Sequence, residues 1–275
     1  MDFLQEAQRR WTKQLDPRVA DFPLIQSSYH VPLIIFAYLY FILGCGPRFM
    51  KNRRPYSMKT FIKLYNIFQI VANAWLIYES IDIGLFTNIN VMCPVVLDFS
   101  YDYIPMRVCT LVWYYFLLKL LDYVETVIFV LRKKNNQVSG LHLYHHITTL
   151  LFAWCATRFY AVGPGLFYCV LNNFIHVIMY TYYFLAAYGP NVQKAIAPMK
   201  QWLTIAQMVQ FVIIIICSLQ NFLPGCKVVK HWLAILFIGN IMINFYLFYN
   251  FYQKAYNKRR VANHDKERAI RKLKI

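Results

Sequence analysis

Residues 202–223 read WLTIAQMVQFVIIIICSLQNFL, and two features of that run decide the fold class. It is long and apolar enough to cross the hydrocarbon core of a bilayer as a helix, which needs about 20 residues. It also carries Thr204, Gln207 and Gln210 at intervals of three, a polar stripe along one helical face. Polar groups in hydrocarbon must face protein or a cavity, so this helix needs neighbours with polar faces of their own. Working outward, six more runs have the same character: 31–46, 61–86, 107–131, 141–159, 164–187 and 231–253. The loops between them are short. The expectation is one all-α membrane domain with seven transmembrane helices over 31–253, an N-terminal segment 1–30 before them and a basic tail 254–275 after them. Residues 31–46 contain no charge and no amide, whereas the other runs carry polar residues at helical spacing, such as Asn66, Gln69 and Asn73, or Asn240 and Asn244. Helices two to seven are therefore expected in a ring around a polar-lined interior, with helix one peripheral.

Charge sets the orientation. The chain has 29 Lys and Arg against 12 Asp and Glu, a net charge of +17, in a sequence that is 59% hydrophobic. The basic residues lie between apolar runs rather than on one soluble face, which excludes nucleic acid as the expected partner and points to positively charged cytosolic loops. Arg48, Lys51, Arg53, Arg54 and Lys59 fill one loop, Arg132, Lys133 and Lys134 another, and Lys194 and Lys200 a third; the tail from 254 is equally basic. The opposite loops are poorer in charge. The N-terminus is thus placed away from the cytosol and the C-terminus in it, with no cleavable signal ahead of the first run. Seven scattered cysteines without a CxxC pair give neither a disulfide framework nor a zinc site.

The chemistry concentrates in four runs. The fourth opens Leu141-His142-Leu143-Tyr144-His145-His146, whose spacing puts three imidazoles on one face, close to the cytosolic loop. The third carries Lys119, Asp122, Glu125 and Thr126: one lysine with two carboxylates on its side of the helix, enough for an ion pair and a spare acid that could orient an imidazole. The fifth carries Asn172, His176, Met179, Tyr180 and Tyr183, and the sixth the stripe already quoted. Spans three and five run toward the cytosol and spans four and six start from it, so all four sets fall in the cytosolic half of the membrane. Four intramembrane histidines are too few for a di-iron site. They suit acid–base or nucleophilic catalysis, while a single-metal enzyme, or a seven-span transporter or receptor with a polar centre, also stays open.

Together these segments resemble the very-long-chain fatty acid elongases, the membrane 3-ketoacyl-CoA synthases of animal type. His142-Leu-Tyr-His145-His146 matches the family's histidine box, Lys119 to Thr126 its KxxExxDT motif, Asn172 to Tyr183 its NxxxHxxMYxYY motif and Thr204 to Phe211 its TxxQxxQF motif. One departure stands out: Asp122 precedes Glu125 here, where the family has Glu first and Asp second. The resemblance implies condensation of a long-chain acyl-CoA with malonyl-CoA, a narrow tunnel inside the helix ring and residence in the endoplasmic reticulum membrane, with the N-terminus lumenal. The ending Arg271-Lys272-Leu273-Lys274-Ile275 approximates a dilysine retrieval signal. No cofactor and no metal are implied. Expected partners are the two CoA substrates, membrane lipid and the other enzymes of the elongation cycle, with room for a homo-oligomer. On this reading His145 carries the acyl group, His176 and His142 steady the enolate of decarboxylated malonyl-CoA, Asp122 or Glu125 orients an imidazole, and His146 completes the catalytic group. Lys119, Asn172, Tyr180, Tyr183, Thr204, Gln207 and Gln210 line the substrate, and Lys133 and Lys134 meet the CoA head. Cys93 and Cys226, in loops placed on the lumenal side, are expected to form a disulfide, since the second and seventh spans would be neighbours in a closed ring.

Overall fold

The structure, a computed structural model, describes residues 14–87, 89, 91–93, 97–226 and 228–257. Most of the basic tail, with its dilysine-like ending, and the first 13 residues lie outside that range. The described residues are almost wholly helical and form no β-strand; one isolated bridge joins Leu85 and Ile89. The principal helices are α1 (His30–Met50), α2 (Lys59–Asp82), α3 in two segments (Tyr103–Leu121 and Tyr123–Leu131), α4 (Gly140–Phe159), α5 (Gly163–Ala186), α6 (Met199–Leu219) and α7 (His231–Tyr252). A short helix, Pro190–Ile196, lies between α5 and α6.

Five of these, α1, α2, α5, α6 and α7, are long and apolar enough to cross a membrane. The other two carry ionisable groups along their length: Arg107, Lys119 and Glu125 on α3, and three histidines with Arg158 on α4. Several boundaries differ from the expected spans by up to four residues: α1 runs on to Met50 rather than 46, and α6 covers Met199–Leu219 rather than 202–223. α2 ends at Asp82 rather than 86, because Gly84 adopts φ 94°, a conformation open to glycine, and the amides of Gly84 and Leu85 fold back on Ile81 and Ser80. α3 starts at Tyr103 rather than 107, after Asp102 in extended backbone.

Packing differs from the expected sequential ring. α2 packs on α5 and on α3, α5 on α6, α6 on α7, α7 on α4, and α4 on α3. Among the described residues α2 and α7 are not extensive partners, because α5 runs along α2 and takes the place expected of α7. Cys93 and Cys226 nevertheless form a disulfide, with their Cα atoms 5.6 Å apart. Gln220 makes the second link between the two loops, accepting from the Cys93 amide at 3.0 Å and donating to the Val91 carbonyl at 3.0 Å.

The same end of the bundle is covered by the segment before α1. Asp16 and Arg18 form a buried ion pair at 2.6 Å, and Arg18 also donates to the carbonyl of Asp98 at 3.0 Å. Trp113 of α3 donates to Pro23 O, Trp154 of α4 to Leu24 O, and Arg158 to the carbonyls of Ile25 and Gln26. The polar ends of long side chains thus satisfy a stretch of non-helical backbone, which has no ladder of its own.

Candidate active site

Helix α3 builds the site around a fault in itself. Its first segment ends at Leu121 and its second starts at Tyr123, leaving Asp122 between them at φ −58°, ψ −21°. Glu125 N bonds to Asp122 O at 3.1 Å, a tighter turn than the i−4 ladder. Lys119 and Asp122 face α2 and α5 on one side of this fault, and Glu125 and Thr126 face α4 on the other.

The first group is centred on a buried ion pair. Lys119 Nζ lies 2.9 Å from Asp122 Oδ2, and both residues are at most 3% exposed. Bringing two charges into hydrocarbon is tolerable only when their remaining valences are filled, and here they are. Asp122 Oδ1 accepts from Gln69 Nε2 of α2 at 2.9 Å and from Tyr180 Oη of α5 at 3.0 Å. Lys119 Nζ donates to Asn172 Oδ1 at 3.0 Å and sits 3.3 and 3.4 Å from the two ring nitrogens of His176. Tyr115 Oη donates to the same Asn172 oxygen at 3.1 Å. Tyr65 stands behind, accepting from Gln69 at 2.9 Å and donating to the Leu121 carbonyl, whose usual helical donor is displaced by the fault. Both ring nitrogens of His176 therefore lie close to an ammonium that Asp122 and Asn172 hold in place.

The second group is the histidine box. The hydroxyl of Ser139 accepts from the His142 amide at 3.2 Å and caps α4, so the box occupies the first two turns. The His142 and His146 rings are 4.2 Å apart, and the His145 ring is 5.6 Å from His146 and 5.8 Å from Phe248 of α7. His146 is buried, with Nε2 3.8 Å from Glu125 Oε2; His142 Nε2 is 2.8 Å from Thr126 Oγ1. The two carboxylates therefore differ in role. Asp122 is engaged by Lys119, Gln69 and Tyr180, with Oδ2 3.9 Å from His176 Nδ1, whereas Glu125 faces His146 of the histidine box. Glu125, His142 and His146 place one ligand atom each within 4.8 Å of one another, a set that a single divalent ion could use, although Thr126 already occupies the Nε2 side of His142.

The residues singled out from the sequence separate into those brought together and those that are not. Lys119, Asp122, Asn172, His176 and Tyr180 converge, as do Glu125, His142, His145 and His146. Tyr183 stacks edge-on against Tyr180 but is about one-third exposed. The α6 stripe stays apart from the imidazoles: Thr204 spends its hydroxyl on Lys200 O of its own helix, and Gln207 approaches Met179 Sδ at 3.9 Å; Gln210 is buried. Lys133 and Lys134 lie on the loop after α3, where Lys133 at φ 55° donates to the Lys51 carbonyl and joins two basic loops. Sequence reasoning missed Tyr65, Tyr115 and Tyr38 as members of the network. Gln69 could have been found, since it lies in the polar stripe between Asn66 and Asn73.

Comparison with known proteins completes the description. Residues 23–264 match the family model ELO, described as the GNS1/SUR4 family. The chain is 37% identical over 264 residues to very long chain fatty acid elongase 7 of Drosophila melanogaster, covering 94% of this chain and 79% of that protein. It is 38% identical over 252 residues to very long chain fatty acid elongase 4 of Mus musculus, covering 90% and 79%. Against very long chain fatty acid elongase 7 of Rattus norvegicus the identity is 35% over 249 residues, covering 90% and 88%.

Proposed function

The chain belongs to the ELO (GNS1/SUR4) family, and we propose that it is a fatty acid elongase whose two polar groups flanking Asp122 are the halves of one condensing site. It is a 3-ketoacyl-CoA synthase, an acyltransferase embedded in the membrane. The observation that carries this reading is the meeting of Lys119, Asp122, Asn172 and His176 on one side of the α3 fault and of Glu125, His142 and His146 on the other.

The proposed architecture is seven spans, with α2 to α7 closed around a tunnel for the acyl chain. The sequence of packed pairs α2–α5–α6–α7–α4–α3–α2 returns to its start, which supports closure. The proposed orientation keeps the disulfide end and the segment 14–28 in the reticulum lumen and the histidine box near the cytosol. Lys51, Lys133 and Lys134 then sit where the CoA phosphates arrive, and anions are drawn to such a surface. Partners beyond the two CoA substrates and lipid, namely the enzymes that process the 3-ketoacyl product, act on the same face.

In the proposed reaction an unprotonated ring nitrogen of His145 attacks the acyl-CoA thioester carbon. The C–S bond breaks, CoA leaves as the thiol with the proton lost by the ring, and the acyl group rests on His145 as an acyl-imidazole. Malonyl-CoA then loses carbon dioxide, and the electron pair of the broken C–C bond becomes the enolate of a two-carbon thioester. His176 and His142 steady that oxyanion by hydrogen bonding, a preorganised electrostatic role. The enolate carbon attacks the acyl carbon, the C–N bond breaks, and the departing ring nitrogen takes up one proton from water, which restores His145. The product is a 3-ketoacyl-CoA two carbons longer. No step uses a metal or cofactor.

Purified protein in lipid nanodiscs, given labelled malonyl-CoA and a series of acyl-CoAs, tests the reading. Labelled 3-ketoacyl-CoA formed with release of one carbon dioxide per turnover is the expected result. Saturable binding of acyl-CoA without turnover would instead support a transporter or receptor.

A further inference from the structure

Helix α1, apolar in sequence and packed on the outside, reaches the histidine box. Its aromatic residues Phe36 and Tyr40 are 68% and 61% exposed, as expected of a helix facing lipid, but Tyr38 between them is 6% exposed. The Tyr38 ring lies on the Tyr123 ring, 3.8 Å between centroids at 21°. Its hydroxyl is 2.8 Å from Thr126 Oγ1, and that hydroxyl is 2.8 Å from His142 Nε2. Thr126 is fully buried.

A local device in α1 allows this. Gly46 packs against α3: a Cβ there would meet Val130 Cγ1 of α3 at 3.0 Å, as well as Phe41 O of its own helix at 2.7 Å. Val130 and Thr126 are four residues apart on α3 and share a face. Eight residues of ordinary helix would leave Tyr38 and Gly46 about 80° apart around α1. The wide π-type turn Phe41–Cys45 between them takes up additional residue length and turns both toward α3.

The direction of the relay follows from counting protons. Tyr38 and Thr126 have one hydroxyl proton each, and Thr126 is the hydrogen-bond partner found for Tyr38 among the described residues. With Tyr38 donating to Thr126 and Thr126 donating to His142 Nε2, every group in the row is satisfied. The ring proton of His142 then sits on Nδ1, the nitrogen turned away from Thr126. The reverse direction would leave the buried phenol proton with no acceptor.

We propose that Tyr38 is a positioning residue of the elongase reaction: through Thr126 it fixes the tautomer of His142, so that Nδ1–H is the donor offered to the site. This rests on the role given to His142 above, and makes α1 part of the machinery. Tyr38→Phe keeps the ring stacked on Tyr123 and removes only the donor. We expect kcat to fall about tenfold with the acyl-CoA KM within about twofold, less than the loss of a whole oxyanion donor because the donor is misaligned rather than removed. Thr126→Val should lose more, and Thr126→Ser should recover to within about threefold of the parent. The double variant Tyr38→Phe/Thr126→Val should be no slower than Thr126→Val alone, since a residue acting only through Thr126 has nothing left to act on. Independently of turnover, imidazole 15N shifts of histidine-labelled protein, with His142 assigned by its loss in His142→Gln, should report a protonated Nδ1 in the parent and a changed tautomer in Tyr38→Phe. An unchanged tautomer in Tyr38→Phe, or losses that multiply in the double variant, would overturn the relay. The tautomer is read whether or not condensation occurs, so a failure of the condensing reading would be seen separately, as a protein that shows the shifts without turnover.

Discussion

Asp122→Asn should be among the most destabilising conservative changes available in this chain. The amide has nearly the shape of the carboxylate and keeps one acceptor for Gln69 and Tyr180, at 2.9 and 3.0 Å in the parent. It loses the oxygen that faces Lys119 at 2.9 Å and turns an N–H toward the ammonium instead. Lys119, 2% exposed, is then a buried cation without a counter-ion. Breaking a buried pair from one side costs about 3–5 kcal/mol, because the remaining charge has lost both water and partner. On the scale of about 2–4 °C per kcal/mol for chains of comparable size, the melting point should drop by roughly 6–20 °C. Glu125→Gln is the control: its nearest ionisable partner is His146 at 3.8 Å, so about 1 kcal/mol or less is expected. Thermal unfolding in one detergent, followed by tryptophan fluorescence, reads all variants. Lys119→Gln/Asp122→Asn, which removes both charges, should recover most of the loss while remaining inactive. Equal melting points for Asp122→Asn and Glu125→Gln, or a double variant less stable than the single, would refute the claim that the pair is the electrostatic anchor of the site.

Three further outcomes follow from the same geometry. His145→Ala should fold yet lose several orders of magnitude in turnover, and the parent incubated with acyl-CoA alone should release CoA and gain an acyl mass; near-normal turnover in the variant removes the nucleophile assignment. Peptide mapping without reductant should recover Cys93 joined to Cys226, and Cys93→Ser should lower stability by at most about 4–5 kcal/mol, the chain-entropy value for so long a loop; two separately alkylated peptides would dissolve that bridge. Prolonged chelation should leave condensation intact, and activity lost to chelator and restored by zinc would turn the Glu125–His142–His146 set into a metal centre.

How far the sequence reached depends on whether a residue announces its surroundings. Lys119, Asp122 and His176 do, because an ionisable group inside an apolar run has no bland place to be, and the structure brings them together. Gln69 announced itself less plainly, as one of three polar residues on an otherwise ordinary face. Tyr38 gave no signal. A tyrosine beside Phe36 and Tyr40 in an uncharged helix reads as a side chain for the lipid interface, and its inward turn depends on a local widening of α1 that composition does not encode. The pairing of helices was hidden for a related reason. Polar stripes show that a helix has a neighbour, and the identity of that neighbour is set by side-chain packing across many contacts.

The placement of the fault in α3 ties these points into one mechanism. An unbroken helix would carry Lys119, Asp122 and Glu125 at i, i+3 and i+6, a drift of about 60° each step toward one side. Glu125 would then lie about 120° around the axis and about 9 Å along it from Lys119, which leaves Asp122 as the carboxylate placed for the lysine. Around the tighter turn at Asp122 that carboxylate meets Lys119, Gln69 and Tyr180, while Glu125 and Thr126 face α4. Tyr65 Oη takes up the Leu121 carbonyl at 3.3 Å, so the interruption leaves fewer buried backbone groups bare. α3 can then hold His176 through a cation on one flank and His142 through a hydroxyl on the other. In the proposed reaction these are the two imidazoles that donate to the enolate oxygen, and holding both from one rigid element sets their spacing before charge develops.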